Sequence, residues 1–305
     1  KILLVSPRTP DTFWSFKHAL SFVSKKASLP PLGLLTVAAM LPPEWDKKLV
    51  DMNVSTLLDK DIQWADYVFV SAMTIHRTSV MEVIARCNKL GIKVVAGGPL
   101  FTAAHEEFSG VDHFLLGEAE VTMPVFLSDI TAGAAKPLYV AEQMADIGQT
   151  PQPLWSLLNM KHYSSMSVQY SRGCPFDCDF CNVTVLYGHN PRTKGKVQMI
   201  EELEGLYRHG WRGAVFMVDD NFVGNKKKLK GEILPAMIEW SKGKNNVFNF
   251  NTQASINLAD DDEMMSLMRE ANFDRVFIGI ETVEESSLVE CNKHQNQSRD
   301  MVDSV

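Results

Sequence analysis

Ser171-Arg172-Gly173-Cys174-Pro175-Phe176-Asp177-Cys178-Asp179-Phe180-Cys181 packs three thiols into eight residues, in the spacing C-x3-C-x2-C. The two other cysteines, Cys87 and Cys291, each stand alone. A four-iron cluster takes one protein ligand per iron. Three thiolates therefore leave one iron open, and an open iron can bind a substrate instead of only relaying electrons. A structural zinc site is the competing reading, along with three unrelated thiols. Zinc usually takes four ligands, often as two separated pairs. No second pair is present, so His162 or His189 would have to complete the set. Disulfides fit poorly, because five cysteines are an odd number and no signal-peptide pattern is visible.

Around this loop the chain alternates short apolar runs with helical segments. Residues 166–170 read as a strand that leads straight into it. Helices are expected over 197–209, 229–242 and 261–271, and strands over 214–218, 247–252 and 276–280. Glu201, Glu202 and Glu204 fall on the polar face of the first of these helices, and Pro235 lies inside the second. Such βα repeats suit part of a barrel, whose active sites form at the carboxyl ends of the strands. Asp219 and Asp220 follow the second strand, Gln253 and Ser255 the third, and Glu281 the fourth. An acid at a strand end is also a common helix cap, but two in succession tilt toward function for at least one. Arg192 and Lys194 read either as partners for an anion or as solvated side chains.

Residues 1–133 alternate in the same way, with strands expected over 2–5, 49–52, 67–70, 92–96 and 114–116, and helices over 31–41, 79–90 and 121–132. This predicts an α/β, doubly wound, Rossmann-like domain on an open parallel sheet. Such sheets bind ligands beyond the carboxyl ends of their strands. Ser71 and Thr74 follow the third strand, Gly97, Gly98 and Pro99 the fourth, and Glu118 the fifth. Each is an ordinary turn residue alone; their joint placement on one edge points to a ligand site. Cys87, inside a helix, reads as core, and Cys291 as a bystander. Residues 134–165, with Pro137, Pro151 and Pro153 and no clear period, read as an ordered linker before a second domain over 166–305.

The composition, 45% hydrophobic and 22% charged over 305 residues, is that of an ordinary globular chain. A net charge of −7 argues against nonspecific nucleic-acid binding. Lys226-Lys227-Lys228 reads as a solvated helix start. The longest apolar stretch, 32–41, is shorter than the about 20 residues that span a bilayer. Reduced cysteines suit a cytoplasmic location. The chain begins at Lys1 and ends in a polar, helix-like stretch, 295–305, so it reads as a fragment.

The cysteine triplet resembles the signature of the radical S-adenosylmethionine (SAM) superfamily, as does the aromatic Phe180 before the third cysteine. That resemblance implies a [4Fe-4S] cluster on Cys174, Cys178 and Cys181. It also implies SAM near Phe180, Asp219, Asp220, Gln253, Ser255 and Glu281, in a partial barrel that normally has six strands. The first domain resembles the cobalamin-binding domain of methionine synthase and its relatives. Carried over, Ser71, Thr74, Gly97, Gly98, Pro99 and Glu118 would line a slot for cobalamin. A family pattern D-x-H-x-x-G is absent after the first strand, where Asp11 has no histidine two positions later. His18 and His76 are the substitutes in view, and cobalamin is expected without a histidine lower ligand.

The whole chain resembles cobalamin-binding radical SAM enzymes, within a subgroup that includes the hopanoid 2-methylases. Residues 30–36, 169–176 and 218–222 carry that likeness, together with 13–18 and 279–282. The resemblance implies a methyltransferase in which a 5′-deoxyadenosyl radical activates an sp3 carbon. That carbon then takes a methyl group from methylcobalamin. It also implies a small-molecule or lipid substrate and an electron donor such as flavodoxin or ferredoxin. Peripheral membrane contact stays open. A radical SAM cyclase or rearrangement enzyme, and a non-catalytic cluster- or corrinoid-binding module, are the alternatives.

Overall fold

The run Ile2-Leu3-Leu4-Val5-Ser6 forms a strand, β1, in which every residue is buried. A strand covered on both faces needs no polar alternation, which is how strands of parallel sheets read. The computed structural model describes residues 1–12 and 15–304. It pairs β1 in parallel with β2 (Lys47–Asp51) and β3 (Tyr67–Ser71). With β4 (Lys93–Gly97), β5 (His113–Leu116) and β6 (Leu138–Val140) they make a six-stranded parallel sheet, ordered β2-β1-β3-β4-β5-β6. The order reverses between β1 and β3, which is where a doubly wound sheet opens a crevice at its carboxyl edge.

Strand alternation sends side chains to two cores. Leu3, Val5, Val68, Val70, Val94 and Ala96 share one core with Val80, Val83 and Ile84 of the helix Arg77–Lys89. Leu4, Phe69, Val95 and Leu115 share the other with Leu34 and Ala38 of the helix Leu32–Met40, and with Met123 and Phe126 of the helix Ala119–Thr131. Each such aliphatic side chain, fully buried, stabilises the fold by about 1.5–3 kcal/mol. Cys87 belongs to the first core at 0% exposure, and burial pushes its thiol up to about 11.

The stretch read as a linker is part of this first unit, which runs Lys1–Ser164. Its strand β6 pairs with β5, Leu115 opposite Tyr139. Tyr139 meets Phe126 edge-on at 5.4 Å and donates to Asp129 Oδ2 at 2.9 Å. Three residues beside a proline are too few to show a period, so the sequence pattern missed this strand. Phe13, Trp14 and the side chain of His18 lie outside the described residues.

The second unit, Ser165–Val305, contains β7 (Met166–Val168), β8 (Ser171–Arg172), β9 (Arg192–Thr193), β10 (Gly213–Met217), β11 (Phe248–Ala254) and β12 (Phe273–Ile278). β7, β10, β11 and β12 lie parallel and in chain order. The helices Lys196–Arg208, Leu234–Gly243 and Asp262–Glu270 connect them. This is an arc of a (β/α) barrel. Pro235 sits in the first turn of its helix, directly after a π turn at Leu229–Ile233. A proline ring cannot continue the i→i−4 ladder, and the wider turn absorbs the break. Of the stretch 295–305 only Met301–Ser304 is α-helical among the described residues. Among the described residues no helix is long and apolar enough to cross a membrane.

Candidate functional site

The cysteine loop is gripped at its base. β8 and β9 form a short antiparallel ladder, Ser171 opposite Thr193 and Arg172 opposite Arg192. Gly173 turns the chain with φ +99, and a Cβ there would stand 2.8 Å from the Gly188 carbonyl oxygen and 3.0 Å from that of Asn190. Only glycine fits such a turn. Cys174, Cys178 and Cys181 are all half-buried. Burial raises the Cys174 thiol, and Cys181 and Cys178 add to the rise as charged neighbours. Among the described residues no group of three or more His, Cys, Asp or Glu side chains is gathered to hold a metal ion. Two sulfurs nevertheless face amide donors: Asn221 Nδ2 lies 3.9 Å from Cys174 Sγ, and Gln295 Nε2 lies 3.4 Å from Cys178 Sγ. Three thiols with amide N–H groups on two of them fit an iron–sulfur cluster, whose sulfurs accept such bonds.

The two acids after β10 differ sharply. Asp219 is 0% exposed and accepts from the Tyr170 N–H at 3.1 Å and from both the N–H and the hydroxyl of Ser171. It holds the strand end that enters the cysteine loop. Burial pushes its carboxyl up to about 6 against the pull of these donors. Asp220 is exposed, and partial desolvation raises its carboxyl. Asn221 is 3% exposed, and its Oδ1 accepts from the Ser255 N–H at 3.1 Å. The Ser255 hydroxyl lies 2.6 Å from Asn257 Oδ1, whereas Gln253 is exposed.

Glu281 stands after β12 in a left-handed conformation, φ +63, 3.3 Å from Lys293 Nζ. Lys293 also lies 5.4 Å from the centroid of the Phe180 ring, which is 54% exposed. Phe180 and Glu281 line one pocket of ≈ 580 Å³ with Asp179, Thr282 and Cys291; Asp220, Gln253 and Ser255 do not line it. The two basic residues after the loop are not solvated. Lys194 is 3% exposed and paired with Glu202, and Arg192 donates to the Tyr187 carbonyl at 3.1 Å. Glu202 itself is 0% exposed, not on a polar face as its helical position suggested.

In the first unit the singled-out residues share the carboxyl edge of adjacent strands. Ser71 pairs with Gly97 across β3 and β4. A Cβ on Gly98, at φ +93, would stand 2.7 Å from Ser71 Oγ. Pro99 starts the helix Pro99–Ala104, and Thr74 is exposed. Glu118 is 5% exposed and accepts from the Ala145 N–H at 2.7 Å, so its carboxylate holds a loop of the fold. His76 is 7% exposed with both ring nitrogens engaged: Nδ1 accepts from the Met73 N–H at 3.2 Å, and Nε2 lies 3.2 Å from Thr9 Oγ1. A ring so held is a structural histidine, not a free metal ligand.

Two family models match. The B12 binding domain covers residues 22–127, and the radical SAM superfamily covers 168–303. The chain belongs to the cobalamin-binding radical SAM family. It is 45% identical to an uncharacterized methyltransferase of Synechocystis sp. over 100% of its own length and 57% of the relative. It is 35% identical to the hopanoid C-2 methylase of Rhodopseudomonas palustris over 100% of itself and 59% of that protein. The chain thus spans less than two thirds of each relative. The cobalamin-dependent radical enzyme OxsB, solved with aqua-cobalamin bound, superposes with a TM-score of 0.73 at 18% identity, over 97% of this chain and 46% of that one. This family member keeps its fold at an identity that leaves few side chains in common. Sequence position alone does not place Asn221 and Gln295 against two of the three sulfurs. Asn221 had a signal as the third polar residue after a strand, whereas Gln295 sits in a polar stretch with none.

Proposed function

We propose that this chain is the cofactor-bearing part of a cobalamin-dependent radical SAM methyltransferase that acts on an sp3 carbon. The observation that carries this reading is one chain with both a C-x3-C-x2-C loop on a βα arc and a doubly wound domain with an open carboxyl edge. Cys174, Cys178 and Cys181 would hold the cluster. Phe180 and Glu281, on the pocket beside the loop, and the exposed Asp220 and Gln253 are the residues available to SAM. Asp219 is proposed as the residue that fixes the loop entry, not as a SAM ligand. Ser71, Thr74, Gly97, Gly98 and Pro99 would receive cobalamin, with no histidine beneath the cobalt. When bound, these groups supply one-electron reduction, a hydrogen-abstracting radical and the methyl group, while the protein supplies position and shielding.

The relatives' names favour methyl transfer over cyclisation or rearrangement. The second of them suggests an apolar, hopanoid-like substrate, small or lipid, and an external one-electron donor such as flavodoxin or ferredoxin completes the system. The test uses the full-length protein, reconstituted without oxygen with iron, sulfide and cobalamin. Given SAM with a labelled methyl group and a hopanoid mixture, it is expected to release 5′-deoxyadenosine and a labelled product. Deoxyadenosine without any labelled product would replace methyl transfer by cyclisation or rearrangement. Neither product would leave a binding module.

A further inference from the structure

Three consecutive residues of the cysteine loop are each held by one distant segment. The Asp179 N–H donates to the Cys291 carbonyl at 3.1 Å, and Asn292 Nδ2 donates to Asp179 Oδ1 at 2.7 Å. Lys293 Nζ lies 5.4 Å from the Phe180 ring. Gln295 Nε2 lies 3.4 Å from Cys178 Sγ. The segment is itself anchored. Asn296 is 1% exposed, and its Nδ2 donates to the carbonyls of Gly279 at 3.1 Å and Ile280 at 3.0 Å, just past β12. Asn292 adopts φ +54 two residues past the end of the helix Glu285–Glu290, which reverses the chain toward the loop. Asparagine tolerates this left-handed turn better than most residues.

Resting on the radical SAM reading above, we propose that residues 291–296 form a clasp on the cysteine loop, in which Gln295 is a positioning residue that tunes the cluster through Cys178. An N–H aimed at a ligand sulfur stabilises negative charge there. It therefore favours the reduced cluster and raises its potential. A thiolate only accepts, so the amide must present its nitrogen side. Asn292 acts separately, ordering the loop through Asp179 and touching no sulfur among its described contacts.

The test compares Gln295→Leu, Gln295→Glu and Asn292→Ala with the wild type in the full-length protein. The first readout is the midpoint potential of the reconstituted cluster without SAM, followed by electron paramagnetic resonance. The second is hydrogen exchange across residues 174–188 in the metal-free protein, with exchange elsewhere as the control for folding. Gln295→Leu is expected to load iron and to shift the potential to more negative values, whereas Gln295→Glu, which sets a negative charge against Cys178, is expected to load less iron and to shift the loaded clusters further in the same direction. Asn292→Ala is expected to speed exchange in the loop alone. A Gln295→Leu cluster at the wild-type potential would overturn the tuning role, and unchanged loop exchange in Asn292→Ala would overturn the clasp. A wild type that assembles no redox-active cluster would overturn the family reading of the cysteines, and this proposal with it.

Discussion

Asn221 Oδ1 accepts from the Ser255 N–H at 3.1 Å, while Nδ2 of the same amide lies 3.9 Å from Cys174 Sγ. One side chain thus joins the ends of β10 and β11 to the first cysteine. Asn221→Ala leaves the Ser255 N–H without its acceptor, which costs about 1–3 kcal/mol. Asn221→Asp keeps the acceptor but sets a negative charge against a thiolate. The expected outcome is a split: the alanine variant melts earlier, whereas the aspartate variant melts near the wild type and loads less iron. Melting of the metal-free protein and iron content after reconstitution check it. Full iron loading in Asn221→Asp would remove Asn221 from the cluster's surroundings.

Asp219 makes the fold sensitive to pH. Burial raises its carboxyl from 3.8 to about 6 despite three donors on its oxygens. Between those values the folded chain keeps a proton that the unfolded chain has lost. Its contribution to stability is therefore present below pH 3.8 and disappears as pH rises through about 6. Asp219→Asn abolishes this dependence but turns an N–H₂ toward one donor, which costs about 1–3 kcal/mol at neutral pH. Denaturant unfolding of both proteins from pH 4 to 7.5 measures the difference. Parallel curves would show that Asp219 titrates as an ordinary acid.

The sequence was legible wherever pattern and packing agree. Val68-Phe69-Val70 and Val94-Val95-Ala96 are short apolar runs because both faces of their sheet are covered, and the doubly wound reading follows from such runs. The cysteine triplet stands out in the sequence because three thiols at this spacing suit few chemistries. Other residues owe their surroundings to segments that local pattern does not reach. Asp219 and Asp220 are identical in type and adjacent, and only the fold makes one a buried acceptor and the other exposed. Glu202 falls on a helix position that looks solvated until Lys194, eight residues earlier, folds beneath it. β6 is too short for any period, and the grip of Gln295 on Cys178 spans 117 residues, beyond the reach of local pattern.

His76 titrates in the opposite sense to Asp219. Burial lowers its pKa below 6.5, although the Asp51 carboxylate nearby pulls it up. Protonation would end the acceptor role of Nδ1 toward the Met73 N–H. The stability it confers is present above pH 6.5 and is lost as pH falls through its lowered value. Asn53 and Tyr163, which donate to Asp51, keep that carboxylate in place at 2.8 Å and 3.0 Å. His76→Asn is expected to flatten the acid side of the stability curve and to weaken hydrogen-exchange protection at Met73 and Thr74. An acid limb as steep in His76→Asn as in the wild type would assign the loss to other groups.

Lys194 and Glu202 form a buried ion pair with side-chain exposures of 4% and 0%. Glu202 Oε2 has no hydrogen-bond partner, and burial raises the Glu202 carboxyl against the attraction of Lys194. The Lys194 N–H donates to the Tyr170 carbonyl at 2.9 Å, so the pair underlies the base of the cysteine loop. Removing one partner leaves an uncompensated buried charge, at about 3–5 kcal/mol. Lys194→Met and Glu202→Leu are each expected to lower the melting temperature by on the order of 10 °C. The double variant is expected to recover most of that loss, because two apolar side chains of similar volume require no desolvation. Thermal unfolding of the four proteins forms a double-mutant cycle. If the single losses simply add in the double variant, the two charges do not depend on each other, and the loop base is held by the β8–β9 ladder instead.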